Sequence, residues 1–370
     1  MKQFSVVVLH YNAPAFLEGA LDSLQRATDG MDAEIIVADN ASENFDKDYF
    51  QQLFPGIRFL IFSENHGFAK GNNLAIRQAE GEWIFLVNPD ILVPEDLFQR
   101  LLPMMKAVPD LGLAGIRLMD GRGRYLPESK RRIPGFLSIL DRLGRTGKGR
   151  YYDTRLAETE DGETEILVGA FMGFRKKDFE KVGGFDESYF MYGEDIDLSF
   201  SFLRAGYRNY YFGSVGALHF KGESTPRNAR YRSHFIDASV KFYRKYGKVP
   251  FTWLAPLGKP LLHVWHMFRK ETPPYRFVPE HYIYTGSDQA TLARLRRLFP
   301  AIQAMEMMAW DKETLYVCET RNYPYKNLLD FMWKFREHPF LYRFVAPSGN
   351  FIYGSDSADA KGEIFYLNQS

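Results

Sequence analysis

The chain has 370 residues, is 45% hydrophobic and 25% charged, and so has the profile of a globular protein rather than a disordered or fibrous one. Its 47 Lys and Arg nearly balance 46 Asp and Glu, for a net charge of +1, which argues against a nucleic-acid partner held by bulk electrostatics. The single cysteine, Cys318, excludes an internal disulfide framework and points to a reducing, cytoplasmic setting.

The opening "MKQFSVVVLHYN" carries one Lys and then a short apolar run, less than a secretory signal needs. Residues 4–11, "FSVVVLHY", read as a strand buried on both faces. After Pro14, the residues Phe16, Leu17, Ala20, Leu21 and Leu24 recur at helical spacing. "EIIVADN" (34–40) and "IRFLIF" (57–62) predict two more strands. "GFAKGNNLAIRQA" (67–79) predicts a helix entered at glycine, and "EWIFLVNPD" (82–90) a fourth strand. This alternation predicts a mostly parallel sheet flanked by helices, whose ligands bind at the carboxyl ends of the strands.

Between 117 and 150, ten Lys or Arg face three acidic residues, and a long mobile loop is expected. "ILVGAFMGF" (166–174) returns to the sheet, and helices are expected over "DLSFSFLRAGY" (197–207) and over 230–247. The Pro- and Trp-rich stretch 251–274 reads as a linker or an interfacial helix. Beyond 275, short apolar segments predict a small second α/β unit. The expected organisation is therefore a catalytic domain at 1–250, the linker, and a small domain at 275–370. No stretch of about 18 apolar residues predicts a membrane span.

Several polar residues stand where chemistry is possible. Asp39 ends the second strand, where it either accepts a hydrogen bond from a ligand or closes an Asp-Asn turn. The glycines of "ENHGFAKGNN" (64–73) let backbone approach a phosphate at a helix start, or serve a plain loop. In "VNPD" (87–90), Asp90 can hold Mg²⁺ or Mn²⁺, or belong to a turn. "MYGEDIDLSF" (191–200) sets Glu194, Asp195 and Asp197 beside apolar residues. A helix N-terminus favours one or two acids, and a carboxylate in a partly apolar cleft can be a general base. His219 follows another apolar segment and is either structural or a metal ligand.

Taken in order, "VVVLHYN", "IIVADNAS", "ENHGFAKGNN", "VNPD" and "VGAFMGFRKKDFEKVGGFDESYFMYGEDIDLSF" resemble the family 2 glycosyltransferases of the GT-A fold, rhamnosyltransferase-like branch, over residues 3–247. The resemblance implies inverting transfer of a sugar from a nucleotide-diphosphate donor, dTDP-rhamnose or a UDP-hexose. The implied acceptor is a saccharide, lipid-linked, in bacterial surface polysaccharide synthesis. It implies that Asp39 binds the base, that His10, Tyr11 and Asn12 form the wall beside it, and that Gly67, Lys70, Gly71 and Asn73 line the donor site. Asn88 stands where the metal motif would begin, so Asp90 and His219 are the implied ligands of Mn²⁺ or Mg²⁺. Asp195 matches the catalytic base, with Glu194 supporting it or meeting the acceptor beside Tyr192, and Asp197 mainly structural. Ser201 stands where relatives commonly carry Arg.

With that resemblance, Lys130, Arg131 and Arg132 become candidates to hold the diphosphate of a lipid-linked acceptor, or an anionic membrane surface in a peripheral inner-membrane protein. Two rival readings remain. A nucleotidyltransferase would carry a Gly- and Arg-rich phosphate loop near the N-terminus, which this chain lacks. A non-catalytic sugar-nucleotide scaffold would lack Asp90 or Asp195, and both are present.

Overall fold

The computed structural model describes residues 2–133, 151–221, 238, 241–247, 278–308, 312–321, 323–358 and 361–367. Elements are numbered in chain order. Strand β1 (Lys2–His10) is buried from Phe4 to Val8, as its valine run requires. Pro14 opens α1 (Pro14–Ala27), where a missing N–H costs nothing. There follow β2 (Ala33–Asp39), α2 (Lys47–Leu53), β3 (Arg58–Ile61), α3 (Gly67–Arg77), β4 (Gly81–Val87), β5 (Ile91–Leu92), α4 (Leu97–Ala107) and β6 (Leu111–Met119). The chain continues through β7 (Lys130–Arg131), β8 (Asp161–Glu163), β9 (Ile166–Leu167), β10 (Phe171–Arg175), α5 (Lys176–Lys181), α6 (Glu194–Arg204) and β11 (Arg208–His219).

The main sheet runs β3-β2-β1-β4-β10-β6-β11-β5, with β8 on β11. β1 lies parallel to β2 and β4, and β11 parallel to β6. Only β10, β5 and β8 run against their neighbours. The expected α/β architecture is present. Because β10 is reversed, Phe171 lies opposite Val87, and the residues just before Phe171 reach the carboxyl edge of β4.

One expectation is corrected. Residues 117–119 complete β6, and Lys130–Arg131 pair with β9, so the basic stretch begins as ordered structure. Charge density alone conceals such pairings, because strands are defined by partners distant in sequence. Residues 134–150 and 251–274 lie outside the described residues. Of the helix expected over 230–247, residues 241–246 are helical.

The second unit contains β12 (His281–Tyr284), α7 (Gln289–Leu298), β13 (Gln303–Ala304), β14 (Thr314–Cys318), α8 (Tyr325–Lys334), β15 (Phe340–Val345), β16 (Phe351–Gly354) and β17 (Glu363–Tyr366). Its sheet order is β13-β12-β14-β15-β16-β17, with β13, β12, β14 and β15 mutually parallel. The two units share one apolar cluster: Phe16, Leu92, Leu218 and Phe220 of the first pack with Tyr325, Phe344 and Tyr353 of the second. Among the described residues, no helix is long and apolar enough to cross a membrane.

Candidate active site

The parallel register places His10 directly beside Asp39 at the carboxyl ends of β1 and β2. His10 Nδ1 lies 2.8 Å from Asp39 Oδ1, while its Nε2 accepts from the Ala13 N–H at 3.1 Å, so the ring proton sits on Nδ1. Ser42 donates twice to Asp39, from Oγ to Oδ1 at 2.6 Å and from N to Oδ2 at 3.0 Å. Burial pushes the Asp39 carboxyl upward, but the His10 and Ser42 hydrogen bonds outweigh it and hold the group below its usual range. Asn12 is exposed, and its side chain accepts from the Glu43 N–H, bracing the turn.

Two asparagines that the motifs do not single out organise the next loop. Asn40 accepts from the His66 N–H and donates to Asn65 Oδ1 and Gly67 O. Asn65 in turn accepts from the Gly67 N–H. Their one sequence signal is position, since both are polar and stand where a strand gives way to a loop. Gly67 has φ +72°, and a Cβ there would lie 2.3 Å from Phe190 O, so no other residue fits. The neighbouring Phe68 N–H donates to the same oxygen at 2.8 Å, tying this loop to the segment that precedes α6.

Lys70 is partly exposed, 3.8 Å from Glu64. Gly71 is buried behind Leu9. Asn73 is a correction: it is buried, accepts from the Phe185 N–H and donates to Phe185 O and Glu187. Two positions beyond Gly71 the helix has turned another face outward, and Asn73 pins residues 185–187 instead of lining the donor site.

Pairing of β11 with β5 sets His219 opposite Ile91, next to Asp90. His219 Nε2 lies 3.4 Å from Asp90 Oδ1, and Asp90 Oδ2 accepts from the Lys221 N–H at 3.0 Å. Both residues are buried, and His219 Nδ1 has no hydrogen-bond partner. Among the described residues, no group of three or more His, Cys, Asp or Glu could hold a metal ion. A carboxylate and an imidazole within reach of one cation fit Mg²⁺ or Mn²⁺, which readily keep water and phosphate oxygens in their other positions. Asn88 lies beside this pair, its N–H donating to Ala170 O.

At "MYGEDIDLSF", Tyr192 and Gly193 are both left-handed, with φ +69° and +83°, before α6 begins. Asp195 Oδ2 accepts from Arg131 Nη2 at 2.5 Å and from the Gly169 N–H at 3.2 Å. Gly169 and Ala170 therefore connect Asp195 with Asn88. Glu194 is buried, with Oε2 unpartnered. Its burial, then the adjacent Asp195 charge, push it up to about 8. Asp197 pairs with Lys245, which also holds Asp186. Ser201 shares a hydrogen bond with Tyr246.

The basic trio is corrected in part. Lys130 is buried and donates to Asp153 O and Leu156 O. Arg131 is buried beneath Asp195. Neither cation is presented to an acceptor, because adjacent strand residues here carry their charges into the protein. Arg132 is exposed, 3.9 Å from Glu165. Tyr192 is half-buried at the mouth of α6.

Among the described residues, five non-glycine residues have left-handed backbone, and four of them, Asn12, Ala41, Tyr192 and Lys221, stand within three positions of His10, Asp39, Asp195 or His219. Strained backbone of this kind clusters at functional sites.

Residues 5–183 match the family model for glycosyl transferase family 2, an interval that includes Asp39 and Asp90 and ends before Glu194. N-acetylglucosaminyl-diphospho-decaprenol L-rhamnosyltransferase of Mycobacterium tuberculosis is 29% identical over 271 residues, covering 67% of this chain and 87% of the relative. Rhamnosyltransferase WbbL of Escherichia coli is 28% identical over 232 residues, covering 58% and 82%. Among solved structures, the mannosyltransferase PcManGT from Pyrobaculum calidifontis, in complex with GDP-Man and Mn²⁺, aligns with a TM-score of 0.46 at 21% identity, covering 73% of this chain and 76% of that one. Residues 5–183 form a family 2 glycosyltransferase segment, and the sequence is rhamnosyltransferase-like.

Proposed function

We propose that this glycosyltransferase works by inversion with a divalent cation. It moves a sugar from a nucleotide-diphosphate donor, dTDP-rhamnose or a UDP-hexose, to a hydroxyl of a lipid-linked saccharide in bacterial surface polysaccharide synthesis. One observation carries this function above the others. Asp90, paired with His219, lies two residues beyond Asn88, and the backbone of residues 169–170 bonds Asn88 on one side and Asp195, beside Glu194, on the other. The two rhamnosyltransferase relatives support the choice of donor, and the decaprenol-linked substrate named for one of them supports the choice of acceptor.

On this reading the base packs against His10 and Tyr11, and Asp39 Oδ2 keeps acceptor capacity for a base N–H. Lys70 faces the diphosphate, and Gly67 and Gly71 let α3 pack closely against Phe190 and Leu9 beneath it. Asp90 and His219 would hold Mg²⁺ or Mn²⁺, which supplies positive charge to the leaving pyrophosphate. Asp195 takes the proton of the acceptor hydroxyl, a contribution of about 10²–10⁴-fold in rate. The hydroxyl oxygen forms the new bond to the anomeric carbon, and the nucleotide diphosphate departs with the electron pair of the broken bond. One direct displacement inverts the configuration. Glu194 and Tyr192 meet the acceptor, and the exposed Arg132 faces its anionic head or the inner-membrane surface of a cytoplasmic, peripheral protein.

Transfer assays with Asp195→Asn test the base, and full activity in that variant would refute it. A thermal-shift panel of nucleotide sugars with and without Mn²⁺ identifies the donor, since a ligand bound to the folded state stabilises it by an amount that grows with the logarithm of concentration over Kd.

A further inference from the structure

We infer that Arg131 is a positioning residue for the transfer reaction, anchoring one oxygen of Asp195 so that the other receives the acceptor proton. This role rests on the assignment of Asp195 as the base. Asp195 Oδ2 is committed twice, to Arg131 Nη2 at 2.5 Å and to the Gly169 N–H at 3.2 Å. Among the described residues, Oδ1 accepts only the N–H of Ile196, at 2.8 Å, and retains lone-pair capacity. The carboxylate is thus split into an anchored and an available oxygen.

The anchor is itself immobile. Arg131 Nη2 also donates to Leu167 O at 3.0 Å, and Nη1 donates to Tyr151 Oη at 3.1 Å. Two chain segments, β9 and residue 151, therefore hold the guanidinium that β7 carries, and α6 brings the carboxylate to it. A planar fork suits this task better than the point charge of a lysine. The groups facing Asp195 are Arg131 and Glu194, with Tyr151 behind the arginine. Glu194, with its raised value of about 8, holds its proton near neutrality and does not compete for the guanidinium charge.

The balance of the step is simple. The acceptor O–H proton passes to Asp195 Oδ1, the oxygen bonds to the anomeric carbon, and the nucleotide diphosphate leaves. A base whose carboxylate can rotate spends time with neither oxygen aligned, so loss of the anchor lowers kcat and spares donor affinity.

The test compares Arg131→Gln, Arg131→Lys and Asp195→Asn in the full chain, measuring kcat, donor KM and Tm. Arg131→Gln is expected to lower kcat about 10- to 100-fold with donor KM unchanged. Arg131→Lys should recover part of the loss. Wild-type kcat in a folded Arg131→Gln variant would overturn the role. Should that variant not fold, Tyr151→Phe loosens the same guanidinium. It is expected to lower kcat about 2- to 5-fold at unchanged donor KM, and no change would overturn the role equally. Full activity in Asp195→Asn refutes the base instead. An inactive Asp195→Asn beside an unimpaired Arg131→Gln refutes the anchor alone.

Discussion

The protein contains two parallel-strand units, and they use their carboxyl edges in opposite ways. At the first edge, Asp39, Asp90, Glu194 and Asp195 are buried carboxyl groups, Glu194 Oε2 being without a partner, beside backbone held in left-handed conformation. At the second, the ends of β14 and β15 are closed by α1 of the first unit. Arg26 Nη1 donates to Thr320 O at 2.6 Å, and the Ser348 N–H donates to Glu18 Oε1 at 2.7 Å. Tyr325 Oη donates to Asp22 Oδ2 at 2.9 Å. Glu95 accepts from the N–H groups of Tyr325 and Lys326, so a carboxylate of the first unit occupies the N-terminus of α8. An edge whose backbone and charged groups are taken up in docking leaves few groups for a ligand, here the Thr320 hydroxyl. The rule that ligands bind at the carboxyl ends of parallel strands therefore depends on what else is packed there.

The sharpest way to break this contrast is Asp195→Asn. At the open edge it should cost about 10²-fold or more in kcat, and it also lowers Tm because the buried Arg131 loses its carboxylate. Glu95→Ala should act on stability alone. It leaves two helix N–H groups without their carboxylate, costing about 1–3 kcal/mol and lowering Tm by about 2–4 °C per kcal/mol, with kcat retained. A Glu95→Ala variant with normal Tm and impaired transfer would show that the second edge serves the reaction.

A subtler effect comes from Glu194. Its folded-state value, raised to about 8, means the fold keeps a proton that the unfolded chain has lost above the ordinary carboxylate range. Stability therefore falls as pH rises from that range to about 8. Glu194→Gln lacks this loss, so its Tm relative to the wild type should climb between about pH 5 and pH 8, and a constant difference would contradict the burial argument. The smallest effect is expected at Arg132→Glu, which should raise KM for a lipid-linked acceptor about 5-fold and leave donor KM alone.

Much of the open edge is legible in the sequence. Asp39, Asp90 and His219 each follow an apolar run, and a strand that ends in a polar residue announces itself locally. The donor-loop glycines are legible too, and Gly67 is required by its contact with Phe190 O. Other residues mislead for a common reason. Asn73 sits in a suggestive motif yet braces residues 185–187. Lys130 and Arg131 look like a solvent-facing charge run yet point into the protein, and Asn40 and Asn65 lie within motifs that do not single them out although they shape the loop. In each case the partner lies far along the chain or on another helical face.

By itself the sequence determined the α/β class, the first four strands in chain order and the likeness of the first unit to family 2 glycosyltransferases. These follow from contiguous apolar periodicity and ordered motifs, which short segments carry within themselves. Only the tertiary structure decided which buried charge meets which. Asp195 and Arg131 are 64 residues apart, and Glu18 and Ser348 are 330 apart. Their meeting depends on strand pairing and helix packing across the whole molecule. That same packing leaves one carboxyl edge open and closes the other with α1.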